Sequence, residues 1–290
     1  MNLTKKPLGE DPITRSRIVP SPLRIEPEVR EQPVPRAAAR IVSHGGRGTA
    51  RDRLLLWSQY GPRFRRAMSD VRGTLPQEWA AAEGRRTGDI SALADLAAVR
   101  LYLAEEWAWV DPMLLDGNPG AHMPLARCVS SGLRRLPGYR GPAIARIGVT
   151  DALLGWYRRN PVLVDRGFWS AASSPAALGA AGPGYLVWSL TGRRTDPIDP
   201  YAPGRLVFAP GTRFKVLGVI DGREPRVMMR EMFPQETAGK ARDGSGARNT
   251  AWLDATTVEE LTRATAGTPG RAFVACTCPW NRAPGLIAPR

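Results

Sequence analysis

The sequence feature that most constrains the fold is the stretch 205–219, in which two apolar runs flank Pro210-Gly211. Proline presets the first corner of a β-turn, and glycine accepts the positive φ of the second corner. In the second run, Arg213 and Lys215 alternate with apolar residues, which is typical of a strand with one wet face and one buried face. The stretch therefore predicts a β-hairpin, and we expect the main sheet to pass through it.

Helical patterns occupy the first half of the chain and strand patterns the second half. Apolar residues recur at spacings of three and four across 54–68, 91–107 and 123–136, and Gly61-Pro62 predicts a kink in the first helix. Helices followed by a run of mostly adjacent strands indicate an α+β fold. The other predicted elements are short helices at 76–84, 151–159, 176–181 and 258–264, a loop at 112–119, and strands at 143–147, 167–172, 185–190, 206–209, 213–220 and 226–233.

The distribution of proline, glycine and apolar residues predicts four parts. Residues 1–48 carry seven prolines without a periodic apolar pattern, which is typical of a disordered arm. A helical subdomain is expected at 49–118 and a β core at 119–238. Residues 239–290 are expected to form a loose extension with one short helix.

The net charge of +14 raises the question of nucleic-acid binding, because basic side chains release counterions from phosphates. Lysine is rare in this chain, and the arginines are spread along it rather than gathered in one basic block. This distribution indicates that the positive charge reflects the overall composition of the chain rather than a nucleic-acid-binding site. A basic nucleic-acid-binding protein is kept as an alternative.

Several chemistries are disfavoured by the composition. The chain has two histidines and three cysteines, and Cys276 and Cys278 are too closely spaced for the usual zinc knuckle. No disulfide framework, metal site or histidine-based nucleophilic mechanism is expected, and Cys128 is expected to be a small buried residue. No signal peptide and no apolar run near the ~20 residues of a membrane span are visible. The default expectation is a cytoplasmic protein, with export that needs no cleavable signal left open.

Three motifs follow one another along the predicted strands. They are Leu-Arg-Arg-Leu at 133–136 with a small apolar strand ending in Arg146, the aromatic pair Phe168-Trp169 followed by Ser170, and the run Leu-Val-Phe-Ala-Pro-Gly-Thr-Arg-Phe-Lys-Val at 206–216. In this order they resemble the ADP-ribosyltransferase family of the Arg-Ser-Glu class, across about two fifths of the chain, 121–233. The resemblance implies N-terminal helices packed on a mainly antiparallel, split β-sheet core.

The resemblance also implies a site for NAD as co-substrate. Cleavage of the bond between nicotinamide and ribose passes through an oxocarbenium-like state, so a site must clamp phosphate, contact the nicotinamide and place a carboxylate by the ribose. By resemblance, Arg146 would hold phosphate, Ser170 would bond the catalytic glutamate, and Phe168 or Trp169 would supply an apolar wall. From the residues alone, a surface ion pair for Arg146, a small strand residue at Ser170 and core packing of Trp169 remain open.

The sequence departs from the family's pattern at the catalytic acid. Aligning the Pro-Gly-Thr turn places Arg205 where the family has its glutamate, and a guanidinium cannot stabilise a developing cation. A shifted register would bring in Asp199, and Glu231 on the last strand is a second carboxylate. The candidate catalytic residues are therefore Ser170, Asp199 and Glu231, and the candidate cofactor-binding residues are Arg146, Phe168, Trp169, Ser170 and Arg205.

Two hypotheses follow from the resemblance. One is an ADP-ribosyltransferase that transfers ADP-ribose from NAD to an unknown protein acceptor. The other is a catalytically silent protein of the same fold, a pseudoenzyme that binds a partner and still holds NAD through Arg146. They differ in whether a carboxylate can act where Arg205 stands.

Overall fold

The computed structural model describes residues 29–33, 42, 46–75, 90–118, 120–173, 177, 182, 184–238, 250–266 and 282–287. Within these residues the fold is α+β, as predicted, with helices beside a large mixed sheet. The predicted helix at 76–84, most of that at 176–181, and Cys276 and Cys278 lie outside the described residues. The division into four parts stays a prediction.

The helices form one group at the N-terminal side of the fold and three further elements between and after the strands. They are α1 (Ala50–Thr74), α2 (Ile90–Leu101), α3 (Trp107–Leu115), α4 (Met123–Leu133), α5 (Asp151–Arg159), α6 (Pro234–Ala238) and α7 (Ala251–Thr265). The predicted bounds of α5 are confirmed. The helix predicted at 258–264 is present as α7, but it begins earlier, at Ala251.

Helix α1 begins with a capping box between Thr49 and Asp52, in which each side chain bonds the backbone N–H of the other residue. The predicted kink is confirmed, because Gly61 has φ 41° and ψ −112° in front of Pro62. The loop predicted from Pro112 is wrong, since α3 continues to Leu115. Burial of apolar side chains along α3 outweighs the single hydrogen bond that a proline removes.

Helices α1, α2 and α4 pack against one another around a buried apolar cluster. Cys128 lies in this cluster and is fully buried, which confirms its prediction. Gly132 permits the close approach of α4 to α2, because a Cβ atom there would lie 2.3 Å from the carbonyl oxygen of Asp95. Phe168, Ile198 and Val207 extend the same cluster to the sheet, so helices and sheet share a core.

Ten strands are described, and eight of them form one sheet. In chain order they are β1 (Arg30–Glu31), β2 (Gly141–Ala145), β3 (Val162–Asp165), β4 (Trp169–Ala172), β5 (Gly184–Ser189), β6 (Arg193–Arg194), β7 (Arg205–Phe208), β8 (Thr212–Ile220), β9 (Arg226–Glu231) and β10 (Leu286–Ile287). The sheet order is β3-β8-β9-β5-β2-β4-β7-β6, and β1 pairs with β10 separately. Strands β1, β3, β6 and β10 have no counterpart among the predicted strands.

The large sheet is mainly antiparallel and divides between β2 and β4. Its neighbouring strands are antiparallel except β5 and β9, which are parallel. The register between β2 and β4 consists of the single pair Ile144 and Ala172. This narrow junction is the split that the family resemblance implies.

The predicted hairpin is wrong in its pairing. The turn is present, with φ 86° at Gly211 and Thr212 N–H donating to Ala209 O at 3.2 Å. However, β7 pairs with β4 and β6, whereas β8 pairs with β3 and β9. The two strands diverge because each completes its backbone hydrogen bonds with other strands, so the turn is a corner between the two halves of the sheet. The Phe208 and Phe214 rings lie 5.5 Å apart in the core beside this corner.

Candidate functional site

Three candidate residues lie on one face of the sheet, around the junction of its two halves. Ala172 pairs with Ile144 on one side and with Arg205 on the other. Side chains alternate between the faces of a strand, so residues two positions apart point the same way. Arg146 follows Ile144 by two positions, and Ser170 precedes Ala172 by two. The structure therefore brings the predicted Arg146, Ser170 and Arg205 onto one face.

Arg146 is half-buried, and two backbone carbonyls fix its guanidinium. Nη1 donates to Gly182 O at 2.6 Å, and Nη2 donates to Ala177 O at 3.1 Å. Burial lowers the pKa of Arg146, the Arg226 guanidinium lowers it further, and Glu224 opposes both effects. Arginine keeps its charge despite such a shift, so this edge of the face presents a positioned cation.

Arg226 and Glu224 are residues near Arg146 that sequence reasoning missed. They form an ion pair at 2.8 Å beside the site. They come close to Arg146 because β9 pairs with β5, and β5 pairs with β2. No spacing in the sequence reveals this order of strands.

Ser170 is buried within β4, with 8% of its surface exposed. Its Oγ atom has no hydrogen-bond partner among the residues that the structure describes. Neither Asp199 nor Glu231 therefore bonds it. A buried hydroxyl without a partner is costly, and no contact of the described residues offsets this cost at Ser170.

Arg205 begins β7 and forms an ion pair with Asp199. Arg205 Nη1 lies 3.0 Å from Asp199 Oδ2, and the two side chains are 13% and 8% exposed. Asp199 belongs to the connection between β6 and β7, which leads directly into the site strand. A carboxylate thus lies beside Arg205, and the Arg205 guanidinium holds it in an ion pair.

Glu231 ends β9 and bonds the turn that follows β5. Its Oε2 accepts from Leu190 N–H at 2.7 Å and from Thr191 N–H at 2.8 Å, and its Oε1 accepts from the Thr191 hydroxyl. The whole Glu231 residue is 4% exposed. Its hydrogen bonds tie β5 to β9 and account for its burial.

Phe168 and Trp169 are both fully buried. The Phe168 ring packs on Tyr102 at 4.8 Å, in the core shared with the helices. The Trp169 ring packs on Phe208 at 5.3 Å on the opposite face of the sheet, and its Nε1 donates to Arg282 O. Packing accounts for both rings, and their role as a wall for nicotinamide stays a prediction.

Two guanidiniums of this face belong to predicted site residues. Arg205 is paired with Asp199, and Arg146 is held by backbone carbonyls. In the described ranges, no group of His, Cys, Asp or Glu could hold a metal ion. No helix among the same residues is long and apolar enough to cross a membrane.

No protein-family model and no curated protein matches the chain. Solved structures do match its fold. A truncated form of the type III effector XopAI from Xanthomonas axonopodis pv. citri superposes with a TM-score of 0.52 at 20% identity, covering 66% of this chain and 91% of that one. The ADP-ribosyltransferase HopU1 of Pseudomonas syringae pv. Tomato superposes with a TM-score of 0.53 at 12% identity, covering 64% and 99%. With its split sheet and these neighbours, the chain has the fold of the ADP-ribosyltransferases.

Proposed function

We propose that this chain is an ADP-ribosyltransferase-fold protein that binds NAD through Arg146 and does not transfer ADP-ribose by the glutamate mechanism of the family. Arg146 lies at the end of β2 with a fixed guanidinium, which suits a pyrophosphate. Ser170 supplies a hydroxyl on the same face. The remaining family position is occupied by Arg205.

The ion pair between Arg205 and Asp199 is the observation that carries the proposal. An oxocarbenium-like state needs a negative charge beside the ribose. Arg205 places a permanent positive charge at the start of β7, and it neutralises the nearest candidate carboxylate. The pair therefore supports binding without turnover.

Calorimetry with NAD and an assay of nicotinamide release test the two halves of this proposal separately. We expect wild-type protein to bind NAD and to release no nicotinamide above the rate in buffer. Arg146→Lys keeps the charge but loses the paired donors, so we expect affinity to fall by at least about tenfold. Arg213→Lys is the matched control, because Arg213 is an exposed arginine on β8. Absence of NAD binding would remove the first half, and nicotinamide release by wild-type protein would remove the second.

The double variant Arg205→Glu/Asp199→Asn tests why the site is silent. It restores a glutamate at the start of β7 and removes the carboxylate that would otherwise repel it. We expect it to release nicotinamide, whereas Arg205→Glu alone places two acids together and releases less. If the double variant folds, binds NAD and still releases no more nicotinamide than wild-type protein, the site lacks more than the catalytic acid.

A second candidate function is ADP-ribosyl transfer with Asp199 as a relocated acid. One observation favours it: the Asp199 carboxylate, from the connection between β6 and β7, lies 3.0 Å from the guanidinium that stands in the glutamate position by resemblance. This candidate predicts that wild-type protein labels an acceptor protein with radioactive NAD. Labelling should then disappear in Asp199→Asn and persist in Glu231→Gln.

A further inference from the structure

The C-terminal helix α7 packs on the same face of the sheet as the candidate site. Backbone pairing places one row of residues on this face, running from β9 through β5, β2 and β4 to β7: Met228, Leu186, Ile144, Ala172 and Arg205. The first four members of the row form a buried apolar cluster with Leu261 of α7, and Val258 and Ala264 of the same helix pack against it. The helix therefore covers the part of the face that adjoins Arg146 and Ser170.

Helix α7 runs from the β9 side of the sheet toward the junction of its two halves. Its first turn lies beside β9, where the Asp254 carboxylate accepts from Arg230 Nε at 2.6 Å and from Lys215 Nζ at 2.5 Å. Leu261 follows seven residues later, which is about 10 Å along the helix axis. Strands β9 and β2 have β5 between them and are therefore also about 10 Å apart. The spacing fits a helix that is anchored at β9 and reaches β2 with Leu261.

The attachment of α7 is small and mainly electrostatic. Of its fifteen residues, all of which the structure describes, only Thr257 and Leu261 are buried. Arg230 lies between α6 and α7 with its side chain 1% exposed, and Glu236 of α6 binds it through both carboxylate oxygens. Release of α7 would return Arg230 to water, so the regained hydration offsets part of the lost attraction to Asp254. The helix therefore leaves the sheet at a lower free-energy cost than an element with a broad apolar contact.

We propose that α7 is a releasable cover of the site face, held in place by the ion pairs of Asp254 and opened by local undocking of the helix. The covered residues Ile144 and Ala172 each lie two positions from a proposed NAD contact, Arg146 and Ser170 respectively. Access to the junction then requires α7 to leave, so the apparent affinity for NAD is reduced by the fraction of molecules in which the helix is docked. The inference rests on the proposed function for its ligand, whereas the release of α7 does not.

Hydrogen exchange of the full chain, followed by mass spectrometry, measures the release of α7. We expect the amides of α7 to exchange at least about a hundredfold faster than those of β5 and β9, because local undocking exposes the helix and leaves the strands paired. Asp254→Asn removes the charge that holds the helix and leaves Arg230 paired with Glu236, so we expect a further rise of about tenfold. The matched control is Glu260→Gln, an acid of α7 that is 40% exposed and pairs with Arg263, and it should leave exchange unchanged. Equal protection of α7 and the two strands, or equal exchange in the two variants, would overturn the proposal.

Calorimetry with NAD tests whether the docked helix restricts the site. We expect Asp254→Asn to bind NAD more tightly than wild-type protein, by up to about tenfold, because a larger fraction of its molecules has the helix released. Glu260→Gln should bind NAD with the affinity of the wild-type protein. Faster exchange of α7 in Asp254→Asn without tighter binding of NAD would overturn the role of the helix as a cover.

A thiol probe separates failure of this inference from failure of the proposed function. Ala172→Cys places a thiol in the cluster beneath α7, and its labelling by a maleimide, located by mass spectrometry of the labelled peptide, needs no NAD. We expect labelling to become about tenfold faster when Asp254→Asn is added and to stay unchanged when Glu260→Gln is added. If no protein binds NAD but labelling follows this order, the proposed function is wrong and the cover is supported. Labelling at one rate in all three proteins would overturn the cover even where NAD binds.

Discussion

Two arginine–aspartate pairs of this protein use the same groups in different surroundings. Arg282 and Asp165 are 5% and 1% exposed and join segments 117 residues apart. Arg205 and Asp199 are 13% and 8% exposed and lie six residues apart. The first pair links two segments that are distant in the sequence. The second pair links Asp199, in the connection between β6 and β7, to the first residue of β7.

The difference shows most clearly at the two carboxylates. Asp165 accepts from Arg282 through both oxygens, at 2.8 and 2.5 Å, and from the backbone N–H groups of Gly167 and Gly285 at 3.0 and 3.2 Å. Gln32 also reaches it, so β1 and β10 meet at this acid. A carboxylate surrounded by donors from distant segments is a structural centre. Asp199, whose arginine comes from the next strand, is a local one.

Arg282→Met should give the largest effect, because it leaves Asp165 charged and buried without its cation. Breaking such a pair costs about 3–5 kcal/mol of unfolding free energy. Urea unfolding measures the loss. The matched control is Arg158→Met, whose pair with Asp221 is 47% and 66% exposed and should contribute no more than about 1 kcal/mol. Equal losses in the two variants would erase the distinction between a structural pair and a surface pair.

Local patterns predicted the elements, and long-range packing decided their partners. The period of 151–159 and the Gly61-Pro62 signal depend on neighbouring residues, so the helix and the kink could be read from the sequence. The divergence of β7 from β8 depends on their distant partners, since β7 pairs with β4 and β6 and β8 pairs with β3 and β9. A turn signal cannot show this, because the same Pro-Gly pair suits a hairpin and a corner.

The site was predictable only in its outline. The motif order placed Arg146, Ser170 and Arg205 along three strands, and their common face follows from the register. The partners of the acids could not be predicted. Glu231 bonds the turn at Leu190 because β9 lies beside β5, a parallel neighbour that no short-range signal marks.

The pH dependence of stability sharpens the comparison at Arg282, because Asp111 lies within reach of the same cation. Burial raises the pKa of Asp111 to about 7, while Arg282 and the Tyr102 hydroxyl, at 2.9 Å, lower it. The folded state favours the neutral form of Asp111. Its contribution to the free energy of unfolding is therefore fully present below the unfolded pKa near 4, and it is lost as the pH rises through the folded pKa of about 7. The loss is up to roughly 4 kcal/mol.

Asp111→Asn mimics the neutral acid and should flatten this part of the stability curve between pH 4 and 7. Urea unfolding at several pH values measures the slope for both proteins. Arg282→Met should move the pKa of Asp111 further upward, because it removes the opposing charge. A wild-type slope that persists unchanged in Asp111→Asn would assign the titration to another group.

Arg205→Glu breaks the site pair and has an intermediate effect. It places a second carboxylate against the largely buried Asp199, so we expect a loss of about 2 kcal/mol or more of unfolding free energy. Adding Asp199→Asn should restore most of that loss. Thermal unfolding of the single and double variants measures the coupling. No difference between them would mean that the pair at the site is as weak as an exposed one.

Ser170→Ala gives the smallest effect on stability and the sharpest contrast between site and structure. The variant removes a buried hydroxyl that has no partner among the described residues, so we expect the protein to be unchanged or more stable by up to about 1 kcal/mol. Ser189→Ala is its control, because the Ser189 hydroxyl donates to Tyr139 O and accepts from Gly192 N–H, both at 3.1 Å, and its loss should cost about 1 kcal/mol. Calorimetry with NAD should show weaker binding in Ser170→Ala and unchanged binding in Ser189→Ala. If Ser170→Ala is at least as stable as wild type and binds NAD more weakly, Ser170 serves ligand binding. If the variant is less stable and binds NAD equally well, Ser170 serves the fold.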